Sequence, residues 1–117
     1  MSAAPSWLKD GWPHVWLPYT QITDAGLEHL KGLANLERLD LSGTQINGAG
    51  LEHLKGLTNL FMLHLTDTQV TDAGLEHLKS FSNLVALDLE NTQVADAGLV
   101  HIEKLPNLKS IDLGESR

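Results

Sequence analysis

The sequence predicts a right-handed α/β solenoid with five short parallel strands on its concave side and four helical segments on its convex side. Three observations point there. From Thr20 onward the chain repeats itself every 24 residues; no residue is inserted or deleted between copies; and each copy pairs a short apolar alternation with a segment of helical spacing. A period of this length, kept strictly, means stacked and equivalent coils, none of which can bury its apolar face alone.

The copies begin at Thr20, Thr44, Thr68 and Thr92 and read TQITDAGLEHLKGLANLERLDLSG, TQINGAGLEHLKGLTNLFMLHLTD, TQVTDAGLEHLKSFSNLVALDLEN and TQVADAGLVHIEKLPNLKSIDLGE. Counting back from Thr20, Trp12, Val15 and Leu17 fall in phase with Leu36, Leu39 and Leu41. A half repeat over residues 1–19 therefore precedes full repeats at 20–43, 44–67, 68–91 and 92–115, all in one domain spanning 1–117.

Each element follows from its residues. The alternation at Leu39/Leu41, Leu63/Leu65, Leu87/Leu89 and Ile111/Leu113 predicts a short strand whose inward face is apolar. Asp24, Asp72 and Asp96 then stand where a helix N-cap belongs, ahead of segments in which residues such as Leu27 and Leu30 share one face. Thr20, Thr44, Thr68 and Thr92 place a hydroxyl at the bend leaving each strand, where it can bond backbone groups. Asn35, Asn59, Asn83 and Asn107 read as turn formers. Gly26, Gly50, Gly74 and Gly98 recur in the helix opening, where glycine costs stability, so close approach of neighbouring coils is the reason expected for them.

The pattern L-x-x-L-x-L-x-x-T-x-[IV], as in Leu36, Leu39, Leu41, Thr44 and Ile46, resembles the leucine-rich repeat over roughly residues 12–117. With T-D-A-G-L opening the helix, the units are similar to those of bacterial leucine-rich-repeat proteins and to the cysteine-containing subclass of ribonuclease-inhibitor-like horseshoes. Threonine stands where that family usually carries asparagine or cysteine. The resemblance implies recognition of other proteins.

Composition narrows the function. The chain has no cysteine, so neither disulfides nor thiolate metal sites are available to it. Fifteen acidic against eight basic residues give a formal net charge of −7, which sets phosphate backbones and anionic lipid against repulsion. Neither nucleic acid nor membrane is expected as a partner. Met1–Asp10 lacks the basic start and apolar run of a secretory signal, and the expectation is a cytoplasmic protein.

Candidate sites separate into copied and individual residues. His29, His53, His77 and His101 recur at one helix position and could be read as a metal ladder, but a residue copied with its repeat needs no separate role. The strand residues facing away from the core differ between copies. Their central column is Trp16, Asp40, His64, Asp88 and Asp112; one flank holds His14, Arg38, Met62, Ala86 and Ser110, and the other Pro18, Ser42, Thr66, Glu90 and Gly114. Asp40, His64 and Asp88 lie on consecutive strands and could form an acid–base trio or hold a cation, yet no nucleophile, lid or oxyanion donor accompanies them. The expected function is a protein or peptide interaction module, not an enzyme, without cofactor or metal. It would use Trp16, Tyr19, Arg38, Asp40, Met62, His64, Asp88, Glu90 and Asp112, with basic or mixed-charge partners favoured. Two alternatives are a structural element that self-associates through its terminal coils and a fragment of a longer receptor-like array. For the first, Leu105, Leu108, Ile111 and Leu113, with Leu99 and Ile102, should be partly uncovered in the last coil, and a homodimer through that coil is expected.

Overall fold

In the computed structural model, residues 13–114 are described, and they form one five-stranded parallel sheet in the order β1-β2-β3-β4-β5. The strands are β1 (His14–Trp16), β2 (Arg38–Asp40), β3 (Met62–His64), β4 (Ala86–Asp88) and β5 (Ser110–Asp112). Their register keeps the 24-residue step: Trp16 pairs with Asp40, Asp40 with His64, His64 with Asp88 and Asp88 with Asp112. The ladder continues past each strand, for example from Leu41 N to His64 O at 2.9 Å and from Leu65 N to Asp88 O at 2.8 Å. Trp12, the residue in phase with Leu36, lies outside the described residues.

Returning segments run opposite the sheet. Asp24–Leu30, Ala49–Leu54 and Ala73–Ser80 are 3-10 helices, and Asp96–Glu103 is an α-helix, α1. Segments of six and seven residues suit i→i+3 bonding, because an α-helix this short satisfies few of its own carbonyls; at eight residues both forms occur, 3-10 in Ala73–Ser80 and α in Asp96–Glu103. Between sheet and helices lies the core. Leu39, Leu63, Leu27, Leu51, Leu75, Leu36, Leu60 and Leu84 are all fully buried there, and Phe81 fills the place that Leu33 and Leu57 hold in earlier coils.

The copied polar residues join coils or close bends. Thr44, Thr68 and Thr92 donate from Oγ1 to the carbonyls of Leu41, Leu65 and Leu89 at 2.6, 2.7 and 2.8 Å, which is the bend chemistry expected of them. The asparagines do more than shape turns. Asn83 and Asn107 donate from Nδ2 to the carbonyls of Thr58 and Ser82 in the preceding coil, each at 2.7 Å.

Capping departs from the expectation. Asp72 stands at the N-cap position of Ala73–Ser80 as expected, but Asp24 and Asp96 are the first helical residues of their segments, and none of the four segments receives a side-chain cap hydrogen bond. Instead the Asp24 carboxylate accepts hydrogen bonds from the next coil, from Asn47 N at 2.8 Å, Gly48 N at 3.2 Å and Gly50 N at 2.7 Å. Asp72 likewise accepts from Ala95 N at 2.8 Å. The orphan N–H groups at a helix start attract the nearest carboxylate, and in a parallel stack that carboxylate belongs to the coil below.

Glycine fits the same joints. A Cβ at Gly50 would meet Asp24 Cα and O at 2.6 Å, and one at Gly48, where φ is +108°, would meet Gly74 Cα at 2.8 Å. Close approach of coils thus explains Gly50 and Gly74, whereas Gly26 makes room for Ile22 of its own coil.

Candidate functional site

Strand register sets the residues of the sheet face turned away from the core in columns, of which the two flanks differ at every strand while the central one holds aspartate three times. In β1, β2, β3 and β4 the middle residue is buried while both neighbours are half-buried or exposed, so period-two alternation sends Trp16, Asp40, His64 and Asp88 to the outer face. All three residues of β5 are exposed.

At the β1 end the face is aromatic. Trp16 is 51% exposed, and its ring lies 6.0 Å from that of His64 and 6.3 Å from that of His14. Reaching His64 means that the indole leans across β2. In the middle, His64 Nδ1 approaches Asp88 Oδ2 at 3.1 Å, with both side chains about a quarter exposed. Asp40 does not join them: its Oδ1 accepts from Ser42 N at 2.9 Å, bracing the turn after β2. The trio of Asp40, His64 and Asp88 suggested by the sequence is therefore a pair plus a turn-bracing carboxylate.

The β5 end is acidic. Asp88, Glu90 and Asp112 bring ligand atoms within 4.8 Å of one another, a grouping that strand spacing alone did not single out because Glu90 belongs to the flanking column. Asp112 Oδ1 accepts from Gly114 N at 2.8 Å. Asp88 Oδ1 is buried without a hydrogen-bond partner among the described residues. A shallow depression of about 220 Å³ lies there, lined by Met62, His64, Ala86, Asp88, Ser110 and Asp112 among others. Arg38, on the flank, places its guanidinium 5.1 Å from the centre of the Phe61 ring. That contact holds its charge beside an apolar surface rather than beside the carboxylates.

Tyr19 occupies the rim, at the bend after β1. It is 70% exposed, yet its hydroxyl donates to Asp67 Oδ2 at 2.7 Å, two coils away, and Asn91 donates to Asp67 Oδ1 at 2.8 Å. The intervening residue is Gly43, where any Cβ would run into the Tyr19 ring. Tyr19, Gly43, Asp67 and Asn91 form one column with φ between 55° and 69°, so a single left-handed bend is repeated four times. The hydrogen bond to the Asp67 carboxylate, followed by its charge, raises the Tyr19 pKa above 10.0. The Asn91 and Tyr19 hydrogen bonds hold Asp67 below its ordinary 3.8. Sequence reading placed Tyr19 among binding residues; its role as a tie across three coils was hidden, because it depends on Gly43 and Asp67 lying 24 and 48 positions on.

On the opposite side, His29, His77 and His101 are half-buried and His53 is exposed. In the last coil Ile102 and Leu105, expected to be uncovered, are buried, because their side chains point into the coil's own interior. Ile111 on the strand is 37% exposed and Val100 on the helix of the same coil 50%, with Leu99, Leu108 and Leu113 half-buried.

No helix among the described residues is long and apolar enough to cross a membrane. A family model described as leucine rich repeat matches residues 15–70. No curated protein matches the chain. Among solved structures, an internalin (inlF) of Listeria monocytogenes superposes with a TM-score of 0.56 at 22% identity, over 88% of this chain and 35% of the other. Internalin C2 of the same organism superposes with a TM-score of 0.50 at 24% identity, over 87% of this chain and 63% of the other. The chain thus spans about a third and just under two thirds of the lengths of these two proteins. Parallel register, coil period, the family match over residues 15–70 and structural likeness agree that the chain folds as an α/β leucine-rich-repeat solenoid.

Proposed function

We propose that the chain is a protein or peptide interaction module that binds through the outer, concave face of its sheet, and that it performs no catalysis. One observation carries this reading. Core and joint positions are copied from coil to coil, while the two flanking columns of the sheet face differ at every strand and the accessible central column breaks its aspartate repeat, Asp40, Asp88 and Asp112, with Trp16 and His64. A half-exposed tryptophan beside polar neighbours has the composition of an interface anchor. Asp40, Asp88, Glu90 and Asp112 favour basic or mixed-charge partners and disfavour nucleic acid and anionic membranes. The test is capture of the natural partner from source cells with wild type, with Trp16→Ala/His64→Ala, and with Lys31→Ala/Lys55→Ala on the helix side. The sheet-face pair is expected to reduce capture tenfold or more, about 1.4 kcal/mol, and the lysine pair to leave it unchanged. Loss from the lysine pair alone would move the site to the other face.

A second reading rests on the β5 edge, where every strand residue is exposed and Ile111 stands open. In it the chain self-associates through Leu108, Ile111 and Leu113, most simply as a two-fold dimer, since an isologous contact closes on itself. Sedimentation over a concentration series should show a dimer that Ile111→Lys dissociates. A monomer at high concentration refutes this reading.

A further inference from the structure

The sheet face has two chemically different ends at a fixed separation, and this specifies a partner more narrowly than its charge. Trp16 on β1 offers an exposed indole, while Asp88 and Asp112 on β4 and β5, with Glu90 beside them, offer carboxylates around a depression whose walls include Met62 and Ala86. Resting on the sheet-face reading above, we infer that the face recognises an extended peptide segment carrying an apolar or aromatic residue and an arginine three to six residues apart, laid across the strands.

The chemistry of the acidic end selects the arginine. His64 occupies Asp88 Oδ2, Asp88 Oδ1 is buried and the Gly114 amide occupies Asp112 Oδ1, whereas Glu90 and Asp112 are exposed residues whose carboxylates lie with that of Asp88 within 4.8 Å of one another and face an incoming donor. A guanidinium carries five donors in a planar fork and can bond several carboxylates at once, which an ammonium does as a single point. Met62 and Ala86 line the same depression and suit the methylene stem behind the guanidinium.

Geometry sets the spacing. Strands of a sheet lie about 4.8 Å apart, so Trp16 to Asp88 is three steps, roughly 14 Å, and Trp16 to Asp112 four steps, roughly 19 Å. The indole leans to within 6.0 Å of the His64 ring, which shortens the span at side-chain level. An extended chain advances about 3.3 Å per residue, and three to six residues cover the resulting range.

Selection of a random twelve-residue peptide display library on the full chain tests the inference. Enriched peptides are expected to share an apolar or aromatic residue and an arginine at that spacing. Synthetic versions should lose at least tenfold in affinity on replacing the arginine by citrulline, and similarly against Trp16→Ala, Asp88→Asn and Asp112→Asn, each checked for an unchanged circular dichroism spectrum. Glu52→Ala, on the helix side, should bind as wild type. Enrichment without arginine or without preferred spacing overturns the inference while leaving sheet-face binding intact, provided the peptides still fail against Trp16→Ala. Peptides indifferent to every sheet-face substitution, or no enrichment, overturn it as well. So does stoichiometric binding of calcium at Asp88, Glu90 and Asp112 that arginine peptides cannot displace.

Discussion

Replacing Leu63 by alanine tests how stability is distributed along the stack. Leu63 is the middle residue of β3, fully buried, and in register with Leu39 on one side and Leu87 on the other. A large-to-small change at such a site costs about 2–5 kcal/mol, because neighbours on both sides limit collapse into the void. The equivalent residue of the last strand, Ile111, is 37% exposed and has a strand neighbour only in Leu87 among the described residues. Scaling the cost by its buried fraction and its single strand neighbour puts Ile111→Ala at about 1–2 kcal/mol. Glu52, exposed on the helix side, should be neutral within about 0.5 kcal/mol on replacement by alanine. Urea titrations followed by circular dichroism, with similar slopes for all variants, would rank them Leu63, Ile111, Glu52. A cost at Ile111 equal to that at Leu63 would refute the open edge, and a comparable loss at Glu52 would refute the assignment of faces.

Further expectations follow from the joints and the rim. Gly50→Ala should destabilise by about 1–3 kcal/mol, since its Cβ would enter the Asp24 backbone 2.6 Å away, whereas Gly56→Ala, with open space around it, should be nearly neutral in the same titration. Asp24→Ala should cost about 1–3 kcal/mol by freeing three amides of the next coil, read as faster hydrogen exchange at Gly48 and Gly50; unchanged exchange there would contradict the joint. For Tyr19 the folded pKa is raised, so its tie to Asp67 is intact below 10.0 and is lost as pH rises through the higher folded value. For Asp67 the folded pKa is lowered, so the same tie is intact above 3.8 and is lost as pH falls through the lower folded value. Ultraviolet titration of the phenol should show a later midpoint in wild type than in Asp67→Ala, and equal midpoints would count against the tie.

The sequence made the columns of the sheet legible because a strict period converts position into register: a residue 24 places on is the next strand's neighbour. Trp16, Asp40, His64, Asp88 and Asp112 could be aligned without coordinates for that reason. Legibility fails where side chains reach between coils. The Asp24 carboxylate looks like a local cap in a one-dimensional pattern, and only the stack shows that the nearest unpaired amides belong to Asn47, Gly48 and Gly50. Tyr19 was assigned to the binding face from its residue type, but its ring direction follows from a left-handed bend that the string PYT does not reveal. Glu90 and Asp112 sit in different columns, and their convergence with Asp88 depends on rotamers rather than spacing.

Site-specific photo-crosslinking tests the central claim most directly. A photoreactive residue placed at Met62, half-buried on the sheet face, is compared with one placed at Glu52, exposed on the helix side, in cells that make the natural partner. Sheet-face recognition predicts a partner adduct from position 62, weakened by added salt because Asp88 and Asp112 line the same depression, and none from position 52. An adduct formed from position 52 and absent from position 62 would contradict it.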